Sequence, residues 1–256
     1  MIQFEIIDGV GKITLNRAEK YHSFVREMAL QMQDVLDECK QKKEVRAMLI
    51  TASGKAFCAG QDLAEAIDPS IPSISKIIQE HYNPIIRKIR TIEKPVVAAV
   101  NGVAAGAGAS VALACDIVVA TESASFIQAF SKIGLIPDSG ATFFLPRYVG
   151  MQKATALMMT AEPVSAKDAE KMGMIYKVFS DEAFETESWK LVSKLAQMPT
   201  KGLGLTKRLL NASNTNNLEE QLNMEDKCQV IAANTADFKE GVQAFLDKRK
   251  ANFKGE

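Results

Sequence analysis

Short apolar runs and helical repeats alternate along the first 180 residues of the chain. Apolar runs bounded by turn residues predict strands, whereas apolar residues that recur every three or four positions predict helices. The predicted strands cover residues 2–8, 10–15, 45–52, 94–100, 117–121, 125–130 and 175–179, and a short one precedes Gly60. The predicted helices cover residues 24–43, 74–92, 141–148, 151–160 and 165–172. Strands that alternate with helices in this way indicate an α/β fold.

The last part of the chain has a different pattern, which predicts helices alone. They cover residues 181–197, 201–211, 218–233 and 237–250. We therefore predict an α/β core at residues 1–197 and a C-terminal helical region at residues 198–256, which would serve as a lid or as an oligomer surface. Within the core, Pro69 and Pro72 indicate a loop. Pro84 predicts a bend in the helix at 74–92, because proline cannot donate the helical hydrogen bond.

Composition narrows the possible partners. The 256 residues are 47% hydrophobic, and 31 basic side chains balance 31 acidic ones. A balanced chain has no net attraction to nucleic acid or to an anionic membrane, and we expect neither as a partner. No apolar run approaches the roughly 18 residues of a membrane span, and the first residues do not resemble a secretory signal. We expect a cytoplasmic protein in a reducing compartment.

The residues that usually bind metals do not form a recognisable site. The four cysteines are scattered without the close spacing of zinc ligands, and the chain has only two histidines, His22 and His81. We therefore expect no metal site. Neither histidine lies beside an acid or nucleophile motif, so we expect both to be ordinary surface or loop residues.

A glycine-rich segment, residues 101–116, follows the predicted strand at 94–100. Its sequence, NGVAAGAGASVALACD, places a turn and then Gly106 and Gly108 before an apolar helix. The first N–H groups of a helix have no intrahelical partner. A strand, a glycine-rich turn and a helix start in this order can therefore bind an anion, or stabilise a negative charge that develops during a reaction. It can also be a tight connection in which small residues serve packing. The glycine spacing fits neither a dinucleotide fingerprint nor a P-loop.

A second glycine corner, AGQDL at residues 59–63, precedes another helix start. Together with NGVAAGAG and ACDIVVA, it resembles the crotonase superfamily, the enoyl-CoA hydratase/isomerase family, over nearly the whole chain. The resemblance implies a spiral of ββα units and a C-terminal helical region through which homotrimers form, often paired into homohexamers. It implies an acyl-CoA thioester as substrate. No cofactor is implied, because coenzyme A is part of the substrate.

The resemblance also implies roles for particular residues. The backbone N–H groups of Gln61 and Ala107 would bind the thioester oxygen and stabilise the charge of an enolate. Residues around the two corners would contact the substrate: Ala59, Gly60, Asp62, Leu63, Gly106, Gly108 and Phe130. Arg17 and Lys20 lie where the family contacts the phosphates of coenzyme A, although solvated loop charges are an equal alternative. Lys250 and Phe253 could reach coenzyme A in a neighbouring subunit, but we favour a frayed chain end.

Two glutamates that the family's hydratases use are missing. The matching positions hold Ser110 and Phe130, and neither can replace a carboxylate in moving a proton. The remaining acid is Asp138, which either caps the helix that follows it or carries the proton itself. We favour the proton carrier. An apolar lining from Phe130, Ile133, Leu135 and Phe143 would raise the pKa of Asp138 by desolvation, whereas a helix N-terminus would lower it.

The segment around Asp138, AFSKIGLIPDSG at residues 129–140, resembles one subgroup of the family more closely. Members of that subgroup convert the 1,2-epoxide of phenylacetyl-CoA to its oxepin and move the double bond of enoyl-CoA from the 3- to the 2-position. The favoured hypothesis is therefore an acyl-CoA isomerase with Asp138 as proton shuttle. A hydratase of fatty-acid oxidation is the first alternative. The second is a non-catalytic or RNA-binding member, against which the balanced charge argues.

Overall fold

A computed structural model describes residues 1–68 and 73–256, so the loop predicted at Pro69 and Pro72 lies outside the described residues. The larger sheet contains β1 (Ile2–Ile7), β2 (Val10–Leu15), β3 (Ala47–Ala52), β5 (Val96–Val100), β7 (Ile117–Thr121) and β10 (Lys177–Phe179). They pair in the order β1-β2-β3-β5-β7-β10. The smaller sheet contains β4 (Ala56–Cys58), β6 (Val103–Ala105), β8 (Ser125–Ile127) and β9 (Val164–Ser165), paired in that order.

The hairpin of β1 and β2 is antiparallel, as the sequence predicts, and the other pairings of the larger sheet are parallel. Asp8 and Gly9 form the turn with φ angles of 49° and 83°. Two central residues with positive φ match the right-handed twist of the strands they connect. The parallel strands need crossover connections, and helices supply them.

The smaller sheet differs from the sequence-based expectation. β6 lies inside the segment that we predicted as a glycine-rich turn, because three small residues show no strand periodicity. Its pairing with β4 and β8 creates the strand. The strand predicted at 125–130 ends early, and Phe130 lies instead in a 3₁₀ helix at Ala129–Ile133.

Helices connect the strands and form the C-terminal part of the chain. In the first part they are α1 (Arg26–Gln41), α2 (Leu63–Ala66), α3 (Ile74–Lys76), α4 (Asn83–Thr91), α5 (Ala107–Leu113), α6 (Ala141–Val149), α7 (Met151–Thr160) and α8 (Ala166–Lys171). They are followed by α9 (Phe184–Ala196), α10 (Thr200–Ala212), α11 (Leu218–Ala233) and α12 (Ala236–Leu246). The predictions for α7 and α11 match the structure residue for residue.

A π-helical segment, Ile77–Tyr82, joins α3 to α4 at the position of the predicted bend. Pro84 lies in the first turn of α4 and has no N–H to donate to the carbonyl of Glu80. The side chain of Gln33 on α1 donates to that carbonyl instead, at 2.7 Å. The helix therefore continues past the proline with its carbonyl satisfied by a neighbouring helix.

The larger sheet is buried on both faces. On one face, α1 and α4 cover Met48 and Ile50 of β3, and on the other face α9 covers Ala47 and Leu49. Successive side chains of a strand point to opposite faces, so a strand that is apolar at every position requires two covering layers. Each large apolar side chain fully buried in this way stabilises the fold by about 1.5–3 kcal/mol.

Polar contacts attach the C-terminal helices to the core. The amine of Lys207 on α10 lies 2.8 Å from the carboxylate of Asp116, which also accepts a hydrogen bond from the N–H of Val96 at 2.8 Å. At the chain end, Asp237 accepts from the N–H groups of Lys254 and Gly255 at 2.6 and 2.7 Å. The expectation of a frayed end was therefore wrong, because a buried carboxylate holds these backbone groups.

Candidate active site

The two glycine corners predicted from the sequence meet in the structure. A methyl group on Gly60 would stand 3.2 Å from the backbone nitrogen of Ala107, and Gly60 has a φ of +92° that favours glycine. At the second corner, a methyl group on Gly108 would overlap the backbone and side chain of Cys58. Both glycines therefore allow the close approach of the corner between β4 and α2 to the corner between β6 and α5.

Two backbone N–H groups at these corners have no backbone partner. Phe24 forms a parallel bridge with Gln61, donating to the Gly60 carbonyl at 2.7 Å and accepting from the Asp62 N–H at 2.9 Å. Because these bonds use the residues on either side of Gln61, the N–H of Gln61 points to the opposite side. Ala107 begins α5, where N–H groups have no intrahelical partner. Within residues 1–68 and 73–256, neither N–H donates to a carbonyl, so both are available to a ligand oxygen.

Tyr82 fixes the side chain of Gln61. The Tyr82 hydroxyl donates to Oε1 of Gln61 at 3.1 Å, and its ring packs against Phe24 at 5.8 Å. Burial raises the pKa of Tyr82 well above its ordinary value, and the charge of Asp138 contributes to the shift. Asp138 therefore lies within electrostatic range of a residue that contacts the first corner. Our sequence interpretation placed Tyr82 only on an apolar helix face, and its hydroxyl on that face was the signal that we missed.

Asp62 is the N-cap residue of α2. Its carboxylate accepts a hydrogen bond from the N–H of Ala64 at 3.0 Å and lies 2.8 Å from the guanidinium of Arg17. Burial alone would raise the pKa of Asp62, but the bonds from Arg17 and from the helix N–H groups hold that pKa below its ordinary value. This carboxylate is charged at neutral pH, and both of its oxygens accept hydrogen bonds, Oδ1 from Ala64 and Oδ2 from Arg17.

The other residues predicted to bind substrate lie around the same corners. Ala59 is exposed and donates its N–H to the Tyr21 carbonyl at 2.9 Å, and Leu63 is about half exposed at 52%. Arg17 faces Asp62 and Ser23 rather than solvent, whereas Lys20 is exposed at the end of a 3₁₀ helix. The contacts of Arg17 and Lys20 with coenzyme A stay predictions.

Both histidines are buried, so the expectation of surface residues was wrong, although His22 does lie in a loop, whereas His81 lies in the π-helical segment. His22 accepts a hydrogen bond at Nδ1 from the Arg17 N–H at 2.9 Å, and its Nε2 lies 2.7 Å from the Ser53 carbonyl. The Nε2 of His81 lies 3.2 Å from the Arg26 guanidinium. Burial lowers the pKa of both rings, which favours their neutral forms. Their partners come from distant segments, which local sequence patterns do not reveal.

Asp138 does not cap a helix. The N-cap of α6 is Gly140, which has no capping side chain, and Asp138 accepts from the Ala141 N–H through its backbone carbonyl, at 2.9 Å. The Asp138 carboxylate accepts from the Ser139 hydroxyl at 2.9 Å. Burial raises the pKa of Asp138, and the bond from Ser139 opposes this only in part. Of the apolar neighbours expected around it, Phe130 is buried, whereas Ile133, Leu135 and Phe143 are 40–51% exposed.

Ser110 and Phe130 lie beside the second corner, where the sequence comparison placed the missing glutamates. The Ser110 hydroxyl is buried and donates to the Gly106 carbonyl at 3.2 Å within its own helix. The Phe130 ring would lie 3.9 Å from a methyl group on Gly106. This corner thus presents small backbone groups and an aromatic ring, with Asp138 as the acid on the loop that follows.

In residues 1–68 and 73–256, no three side chains of the types His, Cys, Asp or Glu are grouped to hold a metal ion. None of the helices in the described part of the chain is both long and apolar enough to cross a membrane.

Comparison with known proteins decides the family. The sequence pattern of the enoyl-CoA hydratase/isomerase family matches residues 5–256. The chain belongs to this family. It is 44% identical over 250 residues to the 1,2-epoxyphenylacetyl-CoA isomerase of Escherichia coli strain K12, covering 96% of this chain and 95% of the relative. It is 40% identical over 254 residues to a probable enoyl-CoA hydratase of Rhodobacter capsulatus, covering 99% of this chain and 98% of the relative.

The fold agrees with this assignment to the enoyl-CoA hydratase/isomerase family. A crystal structure of an enoyl-CoA hydratase from Bacillus anthracis superposes with a TM-score of 0.92 at 30% identity, covering 100% of this chain and 99% of the other. The predicted α/β crotonase fold with its C-terminal helices is therefore confirmed. Members of this family act on acyl-CoA substrates.

Proposed function

We propose that this member of the family is an acyl-CoA isomerase in which Asp138 carries the proton. One observation supports it most: Asp138 has a raised pKa and does not cap α6. An acid whose side chain does not cap a helix and whose pKa is closer to neutrality is suited to general acid–base catalysis. Two further carboxylates near the first corner are already bonded: Asp62 to Arg17 and to the Ala64 N–H, and Glu65 to the Arg26 N–H.

The N–H groups of Gln61 and Ala107 are proposed to bind the thioester oxygen. Removing a proton next to a thioester moves negative charge onto that oxygen, and preorganised donors stabilise it without reorganising during the reaction. Loss of one such donor typically costs about 10²–10³ in rate. No redox or metal cofactor takes part in the proposed reaction.

The proposed step is a proton transfer between two carbons. With 3-enoyl-CoA, the Asp138 carboxylate takes a proton from carbon 2, and the C–H electrons form a dienolate whose charge lies on the thioester oxygen. The protonated Asp138 then returns the proton to carbon 4, and carbon 2 and carbon 3 become the double bond. No water is added and no electrons leave the substrate. A single acid can serve both transfers because both carbons lie on the same conjugated system.

Ser110 and Phe130 favour isomerisation over hydration. Hydration requires a base to activate water, and an aromatic ring beside the second corner cannot do so. The name of the Escherichia coli relative supports opening of the 1,2-epoxide of phenylacetyl-CoA to the oxepin as a second isomerisation. The name of the Rhodobacter capsulatus relative favours enoyl-CoA hydration, and we keep it as the alternative.

Assembly and location extend the proposal. Apolar residues of α11 and α12 are exposed in the single chain, among them Leu218, Leu222, Val230, Phe238 and Phe245. An apolar surface of this kind supports the proposed homotrimer or homohexamer. Arg17 and Lys20 are proposed to contact the phosphates of coenzyme A, and we propose that the enzyme works in the cytoplasm.

Product analysis tests the proposal. The enzyme is incubated with 3-hexenoyl-CoA, with crotonyl-CoA and with the ring epoxide of phenylacetyl-CoA, and the products are separated by chromatography. We expect double-bond migration or oxepin formation, and a loss of about 10²–10⁴ in kcat for Asp138→Asn, the usual contribution of a general acid–base group. Rapid hydration of crotonyl-CoA with no isomerisation would support the alternative and remove Asp138 from this role.

A further inference from the structure

We propose that His22 is a positioning residue that sets the direction of the Gln61 N–H. The inference rests on the proposed function of that N–H as a donor to the thioester oxygen. His22 lies in the loop after β2 and touches none of the reacting groups. It acts through the backbone of residues 21–24, which lies against the first glycine corner.

Residues 21–24 bond to three backbone groups around Gln61. The Tyr21 carbonyl accepts from the Ala59 N–H at 2.9 Å, and Phe24 bonds with Gly60 and Asp62 on either side of Gln61. The Cys58 thiol donates to the His22 carbonyl at 3.1 Å. A shift of residues 21–24 would therefore turn the Gln61 N–H.

The imidazole ring of His22 holds this segment in one arrangement. A carbonyl can only accept, so Nε2 must carry the hydrogen that bonds to Ser53, at 2.7 Å. Nδ1 is then unprotonated and accepts from the Arg17 N–H at 2.9 Å. Only the neutral Nε2–H tautomer satisfies both bonds. The ring is 1% exposed, so water cannot replace either partner.

The backbone of this segment is strained, although bonds within the loop, such as that from the His22 N–H to the Arg17 carbonyl at 3.0 Å, help to hold it. Tyr21 and His22 have φ angles of 48° and 54°, which residues other than glycine rarely adopt, and they do so in succession. Such a conformation persists when the surroundings fix it. Here the His22 ring ties the strained turn to the start of its loop at Arg17 and to the turn after β3 at Ser53.

Three substitutions separate the two bonds. His22→Asn places an amide oxygen near the position of Nδ1 and can keep the bond from Arg17. His22→Gln places an amide nitrogen near the position of Nε2 and can keep the bond to Ser53. His22→Ala removes both. Val192→Ala on α9 is the matched control, because it creates a cavity in the core on the other face of the larger sheet.

The first measurement is the kinetics of 3-hexenoyl-CoA isomerisation. We expect His22→Ala to lower kcat by about tenfold to hundredfold, part of the loss that follows removal of a whole donor. KM should change by less than about threefold, because binding of coenzyme A does not depend on the Gln61 N–H. His22→Asn and His22→Gln should each recover part of kcat. Val192→Ala should lose stability and keep kcat.

The second measurement does not depend on turnover. Butyryl-CoA labelled with ¹³C at the thioester carbonyl cannot isomerise, and its carbonyl stretching band moves to lower frequency when N–H groups donate to the oxygen. The wild-type enzyme should move this band, and His22→Ala should move it less while still binding the ligand. A merely structural histidine would lower stability without altering the band of the bound ligand.

Two results would overturn the inference. One is a folded His22→Ala variant in which both kcat and the carbonyl band of bound butyryl-CoA are unchanged. The other is a loss of kcat in Val192→Ala equal to that in His22→Ala. If His22→Ala does not fold, unchanged kcat and band in both His22→Asn and His22→Gln would have the same meaning. If the wild-type enzyme shifts the carbonyl band of butyryl-CoA but isomerises no substrate, the proposed function is wrong and the role of His22 is not affected. Turnover in wild type that His22→Ala retains in full defeats the role of His22 alone.

Discussion

Asp62 and Asp138 both lie just before a helix near the candidate site, yet their hydrogen-bond partners and the directions of their pKa shifts differ. Asp62 caps α2, lies 2.8 Å from Arg17, and has a lowered pKa. Asp138 leaves the cap of α6 to Gly140, bonds to the Ser139 hydroxyl, and has a raised pKa. The same residue type is a structural anion at one position and a candidate acid–base group at the other.

The difference comes from what each carboxylate can bond to. Helix N–H groups and a guanidinium stabilise the charged form of Asp62 and outweigh the cost of its burial. At Asp138, one neutral hydroxyl opposes that cost only in part. An aspartate before a helix is therefore assigned a role by its hydrogen-bond partners, and its position in the sequence does not decide between the two.

Matched Asp→Asn changes give the largest expected contrast. Asp138→Asn should lower kcat for 3-enoyl-CoA by about 10²–10⁴, because asparagine cannot accept and return the proton. Asp62→Asn keeps a good N-cap residue and removes only the ion pair, so we expect it to lower kcat by less than about tenfold. Initial rates at saturating substrate measure both, with binding of butyryl-CoA as the check that each site is intact. Similar losses of kcat for the two variants would end the distinction between them.

The free energy of unfolding should show the reverse order, with a larger loss for Asp62→Asn than for Asp138→Asn. Asp62→Asn leaves Arg17, whose side chain is only 15% exposed, without its anion. We expect a loss of about 1–3 kcal/mol at neutral pH, the range for an unpaired and mostly buried polar group. Asp62→Ala should lose about 1 kcal/mol more, because the helix cap is lost too. Urea unfolding curves with equal m-values would measure both losses. A stability equal to wild type in both variants would mean that this ion pair is not held in solution.

The pH dependence should respond to the one hydroxyl that bonds to Asp138. In a plot of kcat/KM against pH, the rate should fall on the acid side (the acid limb) at a pH above 3.8, the ordinary pKa of an aspartate, because the pKa of Asp138 is raised. Ser139→Ala removes the bond that lowers this pKa, so the limb should move to still higher pH. The bond is worth about 1 kcal/mol, so the rate on the limb should fall by at most about fivefold. A limb that moves to lower pH would contradict the assignment of Asp138.

Much of the fold could be predicted from the sequence, because its long elements carry their own periodicity. The hairpin of β1 and β2, the strand β7 and the helices α7 and α11 depend on local patterns of apolar and turn residues. The short strand β6 could not be predicted in this way. It exists only because β4 and β8 pair with it, and long-range pairing leaves no mark on three small residues.

The candidate site was predictable where backbone geometry needs glycine and was hidden where distant segments meet. Gly60 and Gly108 mark the close approach of the two corners in the sequence itself. The contact of Tyr82 with Gln61 and the two bonds of His22 join residues from separate segments. Those partners are set by tertiary packing, so only the structure shows that Tyr82 and His22 lie beside the candidate site.

The smallest expected effect is also a direct test of the raised pKa of Asp138. Because this pKa is higher in the folded than in the unfolded chain, the neutral carboxyl favours folding. Its contribution is fully present below pH 3.8, declines as the pH rises through the folded-state pKa, and is absent at neutral pH.

Asparagine does not ionise, so Asp138→Asn should be slightly more stable than wild type at neutral pH. We expect a rise of about 1–3 °C in Tm, as for a change below 1 kcal/mol in a chain of this size. Below pH 3.8 the difference should disappear, since both side chains are then neutral. Scanning calorimetry at both pH values would measure it, with Asp62→Asn as the opposite case. A lower Tm for Asp138→Asn at neutral pH would mean that the fold uses the Asp138 charge as it uses that of Asp62.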